Sequence, residues 1–326
     1  DQLLSKPLKA RDQDIQCLLL IGLYQLLVMR TDSHAAVNET VKLTLAQKKK
    51  WASGLVNAVL RGVIRDHLEL DDQVAPLAYP EWMLDRVRTD WGEQAGAVLA
   101  AGNRRAPMTL RVDTRQCDVE SYIGRLTAAG IGASAHARID SAIELDAACD
   151  VAQLPEFESG LISVQDAAAQ IAAPLLECPP GARVLDACAA PGGKTIHLLQ
   201  RYPDIELDAL DSSASRLERV RQNLDRVGAS ARIISGDAAS PSDWFDGRLY
   251  DAVLADLPCS GSGVLRRHPD IKLLRRESDI MPLCAQQQRI LRALWSVLKP
   301  GGKMLYSTCS IFKEENEIQV AGFLQH

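Results

Sequence analysis

Two cysteines stand where packing alone does not call for them. Cys259 lies in "DLPCSGSG", Asp256 to Gly263, and Cys309 in "STCS", Ser307 to Ser310; each stretch follows an apolar run that reads as a buried strand. A thiolate is a good nucleophile, and nearby cations or helix ends lower its pKa. Acids end three of the strand-like runs. Asp211 closes "ELDALD", Asp237 closes "IISGD", and Asp256 closes "YDAVLAD". An acid at the end of the second strand of an α/β sheet is placed to accept from a ribose hydroxyl. One at the end of the third can meet an adenine amino group. The plain alternative, that such acids only cap the next helix, applies to each taken singly.

A glycine turn supplies the other half of a cofactor site. "DACAAPGGKT", Asp186 to Thr195, ends like a phosphate loop, but the glycine that such a loop needs five residues before Gly193 is Cys188. The spaced glycines of a dinucleotide fingerprint are missing too, since the turn reads Cys188, Ala189, Ala190, Pro191, Gly192, Gly193. Small residues here let backbone approach a ligand without a pyrophosphate cradle. S-adenosyl-L-methionine, an adenosine with a sulfonium and no phosphate, suits that loop and the acids beyond it.

These loops need a sheet to hold them. From Arg183 the pattern is strand, loop, helix, repeated: "RVLDACA" and "KTIHLLQR", "ELDALD" and "SRLERVRQNLDRVG", "ARIISGD", "YDAVLADLP", then "LCAQQQRILRALWSVLK" and "GKMLYSTCS". Buried strands alternating with helices predict a doubly wound, Rossmann-like parallel sheet whose ligand site lies at the carboxyl ends of its strands. Adjacent last strands would bring Cys259 and Cys309 together. Upstream, the spacing of Ile15, Leu18, Leu19, Leu23, Leu26 and Leu27 predicts an amphipathic helix, followed by helices over Val37–Leu45 and Leu55–Ile64. Residues 1–75 thus read as an all-helical domain. "DDQVAPLAYP", Asp71 to Pro80, reads as a linker. A helix over Glu81–Ala101, a strand at Met108–Asp113 and a helix ending at Gly130 predict a small mixed α/β domain over 76–160, with the catalytic domain over 161–326.

Composition excludes several classes. The 326 residues are 47% hydrophobic and 24% charged, as in ordinary globular proteins, and the apolar run Cys17–Met29 is too short to span a bilayer. Eight cysteines are scattered without a C-x-x-C, and histidines do not cluster, so neither a zinc site nor a disulfide scaffold is expected. A reduced, cytoplasmic compartment follows. No heptad or exposed apolar repeat appears, so a monomer is expected. The chain begins with Asp1 rather than methionine and reads as a piece of a longer polypeptide.

Net charge is −5, yet "RRHPDIKLLRR", Arg266 to Arg276, holds five basic residues against one acid just after the Cys259 loop. A basic run is commonly a solvated helix face. Beside a reactive thiol, Arg266, Arg267, Lys272, Arg275 and Arg276 become candidates for holding nucleic-acid phosphates.

Together, "DACAAPGGKT", "DLPCSGSG", "RRHPDIK" and "STCS" with "EEN" after it closely resemble the RNA (cytosine-5) methyltransferases of the NOL1/NOP2/Sun class, and within them the bacterial group that acts on 16S ribosomal RNA. The amino-terminal "GLYQLL" and "LVNAVLR" look like the NusB-like helical domain of that group. The resemblance implies methyl transfer from S-adenosyl-L-methionine to carbon 5 of an unpaired or flipped cytosine in 16S ribosomal RNA. Residue by residue, it implies that Cys188 to Lys194 form the cofactor loop and that Asp211, Asp237 and Asp256 are the pocket acids. It implies Cys309 as nucleophile and Cys259 as the residue that helps release product, with Lys194 supporting Asp256. Chemistry alone leaves the two cysteines interchangeable, since DNA cytosine-5 methyltransferases use the counterpart of Cys259. Leu257 replaces the alanine more usual in the family. The family's sheet also continues with two strands past the helix near Glu314, so the chain reads as lacking them.

A non-catalytic RNA-binding factor and a nicotinamide-dependent oxidoreductase are the competing classes. The paired cysteines count against the first and the glycine spacing against the second. Replacing Arg266 and Arg267 by Glu is expected to weaken RNA binding and to flatten its salt dependence in a filter-binding titration; unchanged affinity and slope would remove the segment from the interface.

Overall fold

The structure, a computed structural model, describes residues 3, 4, 6–27, 29, 31–66 and 78–325. Within it the chain forms two compact units, residues 1–78 and 79–326. The expected linker falls mostly on residues 71–77, outside the described residues.

In the first unit three helices, α1 (Gln13–Leu27), α2 (Ser33–Ala46) and α3 (Ala52–Arg65), pack around Ile15, Leu18, Leu19, Val37, Val56 and Leu60. Asp32 caps α2 by accepting from the amides of His34 and Ala35.

The second unit opens with α4 (Glu81–Trp91) and α5 (Ala95–Asn103), where the sequence pattern predicts one helix. Gly92, at φ +52°, ends the first and turns the chain. A small sheet follows: β1 (Met108–Val112), α6 (Val119–Ala128), β2 (Ala133–Ala135), β3 (Ala142–Leu145) and β4 (Ile162–Val164), paired antiparallel in the order β2-β3-β1-β4. Two features correct the expected division at residue 160. Strand β4 pairs with β1, through Leu110 opposite Val164 and Val112 opposite Ile162, and so belongs to the small sheet. Helices α4 and α5 do not join that sheet's core; Met83, Val87 and Leu99 pack with Leu265, Ile280 and Phe312 of the catalytic segment. Amphipathic spacing identifies a buried face and says nothing of what covers it.

The remainder is α7 (Ala172–Leu176), β5 (Arg183–Ala187), α8 (Gly193–Arg201), β6 (Glu206–Asp211), α9 (Ala214–Arg226), β7 (Arg232–Ser235), β8 (Tyr250–Asp256), α10 (Ile271–Leu274), α11 (Ile280–Ser296), β9 (Leu298–Ser307) and α12 (Glu317–Leu324). Five parallel strands run in the order β7-β6-β5-β8-β9. The order reverses between β5 and β8, and the crevice outside their carboxyl ends is where such sheets bind ligands. Strand β5 is buried along its whole length, as a central parallel strand must be.

At the opposite, amino end, fully buried Asp208 accepts from Arg183 (2.9 Å), from both Nε and Nη2 of Arg232 (2.8 Å each) and from the Tyr250 hydroxyl (2.6 Å). One carboxylate thereby ties β5, β7 and β8 to β6. Replacing Asp208 by Ala leaves the buried Arg183 with Asp246 and Glu206 as its anions but takes the acceptor from the Tyr250 hydroxyl, and is expected to cost about 1–3 kcal/mol of stability, measured by urea unfolding.

Candidate active site

Each loop at the carboxyl edge is shaped by its own residues. After β5 the chain turns through Cys188 at φ +63° and Gly192 at φ +99° before α8 begins. A side chain on Gly192 would also meet the Val220 backbone at 3.3 Å, so this position needs glycine twice over. The loop is bolted to α9, because Arg216 donates to the Ala190 carbonyl (2.6 Å) and Asn223 to that of Pro191 (3.1 Å). Asp211 accepts from the amides of Ala190 (3.1 Å) and Ser213 (2.9 Å), and so shapes the loop and caps α9's approach at once.

A cavity of about 160 Å³ lies over the edge of β5, β6 and β7, with Cys188, Asp211 and Asp237 on its walls and Pro258 and Ile290 closing the far side. Asp237 is exposed and spends one oxygen on the Ala239 amide. Burial pushes the Cys188 thiol up to about 12, helped by Asp211 and Asp186 nearby, so this cysteine stays protonated and lines the cavity without reacting.

The second pair of loops holds the sulfurs. Because β8 and β9 are neighbours, with Asp256 opposite Ser307, Cys259 and Cys309 come together with their Sγ atoms 3.3 Å apart. The contact between the sulfurs, in which either can donate, holds the Cys309 pKa below the usual thiol range and, with burial, drives that of Cys259 up. Lys194, on the first turn of α8, reaches across to Asp256 at 2.6 Å, and Ser307 donates to the other Asp256 oxygen at 2.8 Å. Lys194 lowers the Cys309 pKa further while Asp256 opposes it. The arrangement is two thiols whose acidities are shifted in opposite directions, beside the Lys194–Asp256 pair.

Glu315 is the residue that motif reading passed over. It is wholly buried, and its carboxylate accepts from the Ser260 amide (2.8 Å), the Ser260 hydroxyl (2.5 Å), the Ser310 hydroxyl (2.5 Å) and Gln287 (3.1 Å). Asn316 beside it donates to the carbonyls of Ser310 (3.0 Å) and Phe312 (2.9 Å) and accepts from Thr308 (2.7 Å). Asp186 was also passed over. Burial raises its pKa to about 7 against a hydrogen bond from Thr195, and its Oδ1 has no protein partner.

The basic segment divides. Arg266 donates to the Arg105 carbonyl (2.9 Å), and Arg267 to the Pro107 carbonyl (3.1 Å) and to Asp166 (2.9 Å); both remain exposed, as does Arg276. Lys272 departs from the sequence expectation. It turns inward to Asn103 and lies 3.9 Å over the Tyr79 ring, where burial lowers its pKa. Arg275 is held on the Ser260 carbonyl at 3.1 Å. A spacing of charges in sequence does not tell which of them face inward.

Family models match along the chain: NusB family over residues 1–65, the ferredoxin-like domain of RsmF/B-like methyltransferases over 79–152, and 16S rRNA methyltransferase RsmB/F over 173–326. The ribosomal RNA small subunit methyltransferase B of Pseudomonas putida is 48% identical over 329 residues, covering 99% of this chain and 76% of its own length. This chain belongs to the ribosomal RNA small subunit methyltransferase B family.

Solved structures share the architecture. That of PH0851 is 26% identical, with a TM-score of 0.80 over 94% of this chain and 71% of its own. NSun6 from Pyrococcus horikoshii, solved with SFG, is 20% identical and has the same fold at a TM-score of 0.68, over 76% of this chain and 88% of its own. The cofactor of the methyltransferase is S-adenosyl-L-methionine. The site fits it: the cavity carries two acids, Asp211 and Asp237, that can accept from an adenosine's hydroxyls and amine, and small residues, Cys188, Gly236 and Ala238, that leave room for it. Among the described residues no group of ligating side chains could hold a metal, and no helix is long and apolar enough to cross a membrane.

The sulfur contact has a measurable consequence. Iodoacetamide is expected to alkylate Cys309 ahead of Cys259 and Cys188 at neutral pH, read by peptide mass mapping. Because Cys259 stabilises the thiolate of Cys309, Cys259→Ala removes a cause that lowers its pKa, so the midpoint of Cys309 alkylation moves to higher pH.

Proposed function

We propose that this chain methylates carbon 5 of a cytosine in 16S ribosomal RNA, with Cys309 as the nucleophile. The observation that carries the reading is the 3.3 Å approach of the two sulfurs above the Lys194–Asp256 pair. A single nucleophile would not call for a second thiol held protonated beside it.

Carbon 5 of cytosine is a poor nucleophile until the ring's conjugation is broken. The Cys309 thiolate adds to carbon 6, and the displaced electron pair makes carbon 5 an enamine carbon. Asp256 steadies the ring through N3 or the exocyclic amine, and the Lys194 ammonium offsets charge gathering on the ring. Bound S-adenosyl-L-methionine supplies an electrophilic methyl group and leaves as a neutral thioether. Asp211 and Asp237 would hold its adenosine, and the Cys188–Lys194 loop would lie along it. The enamine carbon takes the methyl group and then carries both methyl and proton.

Release needs a base. Once Cys309 is spent as a thioether it no longer accepts from Cys259, and the Cys259 pKa falls back toward that of an ordinary thiol. Having lost its proton to water, Cys259 takes the carbon 5 proton, directly or through one water. The returning electron pair restores the ring's double bond and expels Cys309 as thiolate. The same change of partner that forms the adduct thus prepares the base that resolves it.

The test uses Cys259→Ser and Cys309→Ser variants, each mixed with 16S ribosomal RNA and S-adenosyl-L-methionine and run on a denaturing gel. Cys259→Ser is expected to accumulate a protein–RNA adduct that survives denaturation, and Cys309→Ser none. The reverse pattern would exchange the roles. No adduct in either variant, with no methyl transfer by wild type, would leave an RNA-binding factor.

A further inference from the structure

We propose that Leu273 and Leu274 form an apolar wedge that enters the base stack of the bound RNA beside the target cytosine and keeps that base out of the helix. The inference rests on the cytosine-methylation reading and adds to it the element that unstacks the substrate.

Leu273 is the most exposed large apolar side chain among the described residues, at 87%, and Leu274 beside it is 71% exposed. A single exposed leucine is unremarkable on a protein surface. Two in succession, on a turn flanked by the anchored side chains of Ile271, Lys272 and Arg275, present a fixed apolar edge. Ile271 packs on the Cys259 loop so closely that a side chain on Gly261 would lie 2.9 Å from its Cδ1. Lys272 is turned inward to Asn103 and Tyr79, and Arg275 is bonded to the Ser260 carbonyl. The amides of Leu273 and Leu274 both donate to the Asp270 carbonyl at 2.9 Å, closing the turn.

The position suits the role. Two Cα–Cα steps, under about 8 Å of chain, separate Leu273 from Arg275, which touches the residue next to Cys259. Exposed Arg266 and Arg276 stand at the two ends of the segment; Glu277 and Asp279 are drawn into pairs with Arg86 and Arg275, and the exposed Asp270 lies within it, one acid against the segment's five basic residues. An apolar edge between exposed guanidinium groups complements a polyanion with a stackable interior, which is RNA. A target base must leave the stack before its ring can meet a thiolate, and leucine wedges inserted between base steps offset that cost in other nucleic-acid complexes.

The experiment first locates the methylated cytosine by bisulfite sequencing of 16S ribosomal RNA treated with wild type. Two hairpins are then made, one with that cytosine stacked in a helix and one with it already bulged. Single-turnover methyl transfer is measured for wild type, for Leu273→Ala with Leu274→Ala, and for Leu273→Met with Leu274→Met.

The alanine variant is expected to be about tenfold slower on the stacked hairpin and within about twofold of wild type on the bulged one, with the methionine variant restoring the rate. A pyrrolocytosine at the target position should brighten on binding wild type and stay dim with the alanine variant. Equal loss on both hairpins, or none on either, overturns the wedge. Unchanged rates with an altered sedimentation coefficient would assign the edge to a protein partner and overturn it as well. Absence of cytosine methylation by wild type would instead reject the function reading, and the wedge with it.

Discussion

A carboxylate with no access to water is tolerated in a protein only when its lone pairs are met, and Glu315 has four donors to meet them. Those donors come from the loop after β8, the loop after β9 and the middle of α11. The solvation that Glu315 loses can be recovered only if all three segments sit at one mutual spacing. The distance between the sulfurs is therefore set from beneath, by a group that touches neither of them. Asn316 extends the same clamp to both sides of Cys309, through the Ser310 carbonyl and the Thr308 hydroxyl.

Above that clamp, one residue type behaves in three ways according to its surroundings. Cys188, shut in beside acids, is an inert wall. Cys259 and Cys309 share a hydrogen bond that one must donate and the other accept, so their acidities are forced apart. The asymmetry is a property of the pair. It lasts only while both sulfurs are free, which is why a change at one alters the other.

Much of this was legible in the chain itself. Alternating strand and helix patterns located the parallel sheet and the loops at its edge, and adjacency of the last two strands followed from their order. The Glu315 role was not legible, although "EEN" was noticed, because its partner Ser260 is 55 positions away and nothing local marks a buried acid as a clamp. Lys272 reads like its arginine neighbours, and only the Tyr79 ring and Asn103 beneath it decide that it faces inward. Helix periodicity ran through Gly92 because a single glycine hardly disturbs an apolar pattern, although its backbone ends the helix.

The interleaving of the second unit bears on how it can be taken apart. The catalytic sheet begins at Arg183, but part of what packs against its loops arrives earlier, as α4 and α5, and the small sheet completes itself later, with β4. The small sheet, residues 108–164, is thus inserted between α4 and α5 and the rest of the module they pack on, rather than strung in series with it. A recombinant catalytic fragment beginning at residue 161 would carry off the edge strand of its neighbour and abandon the hydrophobic cover over Leu265, Ile280 and Phe312. Chimeras that exchange substrate specificity between relatives should therefore swap residues 79–326 as one block, because a single cut within it either splits the small sheet or parts α4 and α5 from the segment they cover.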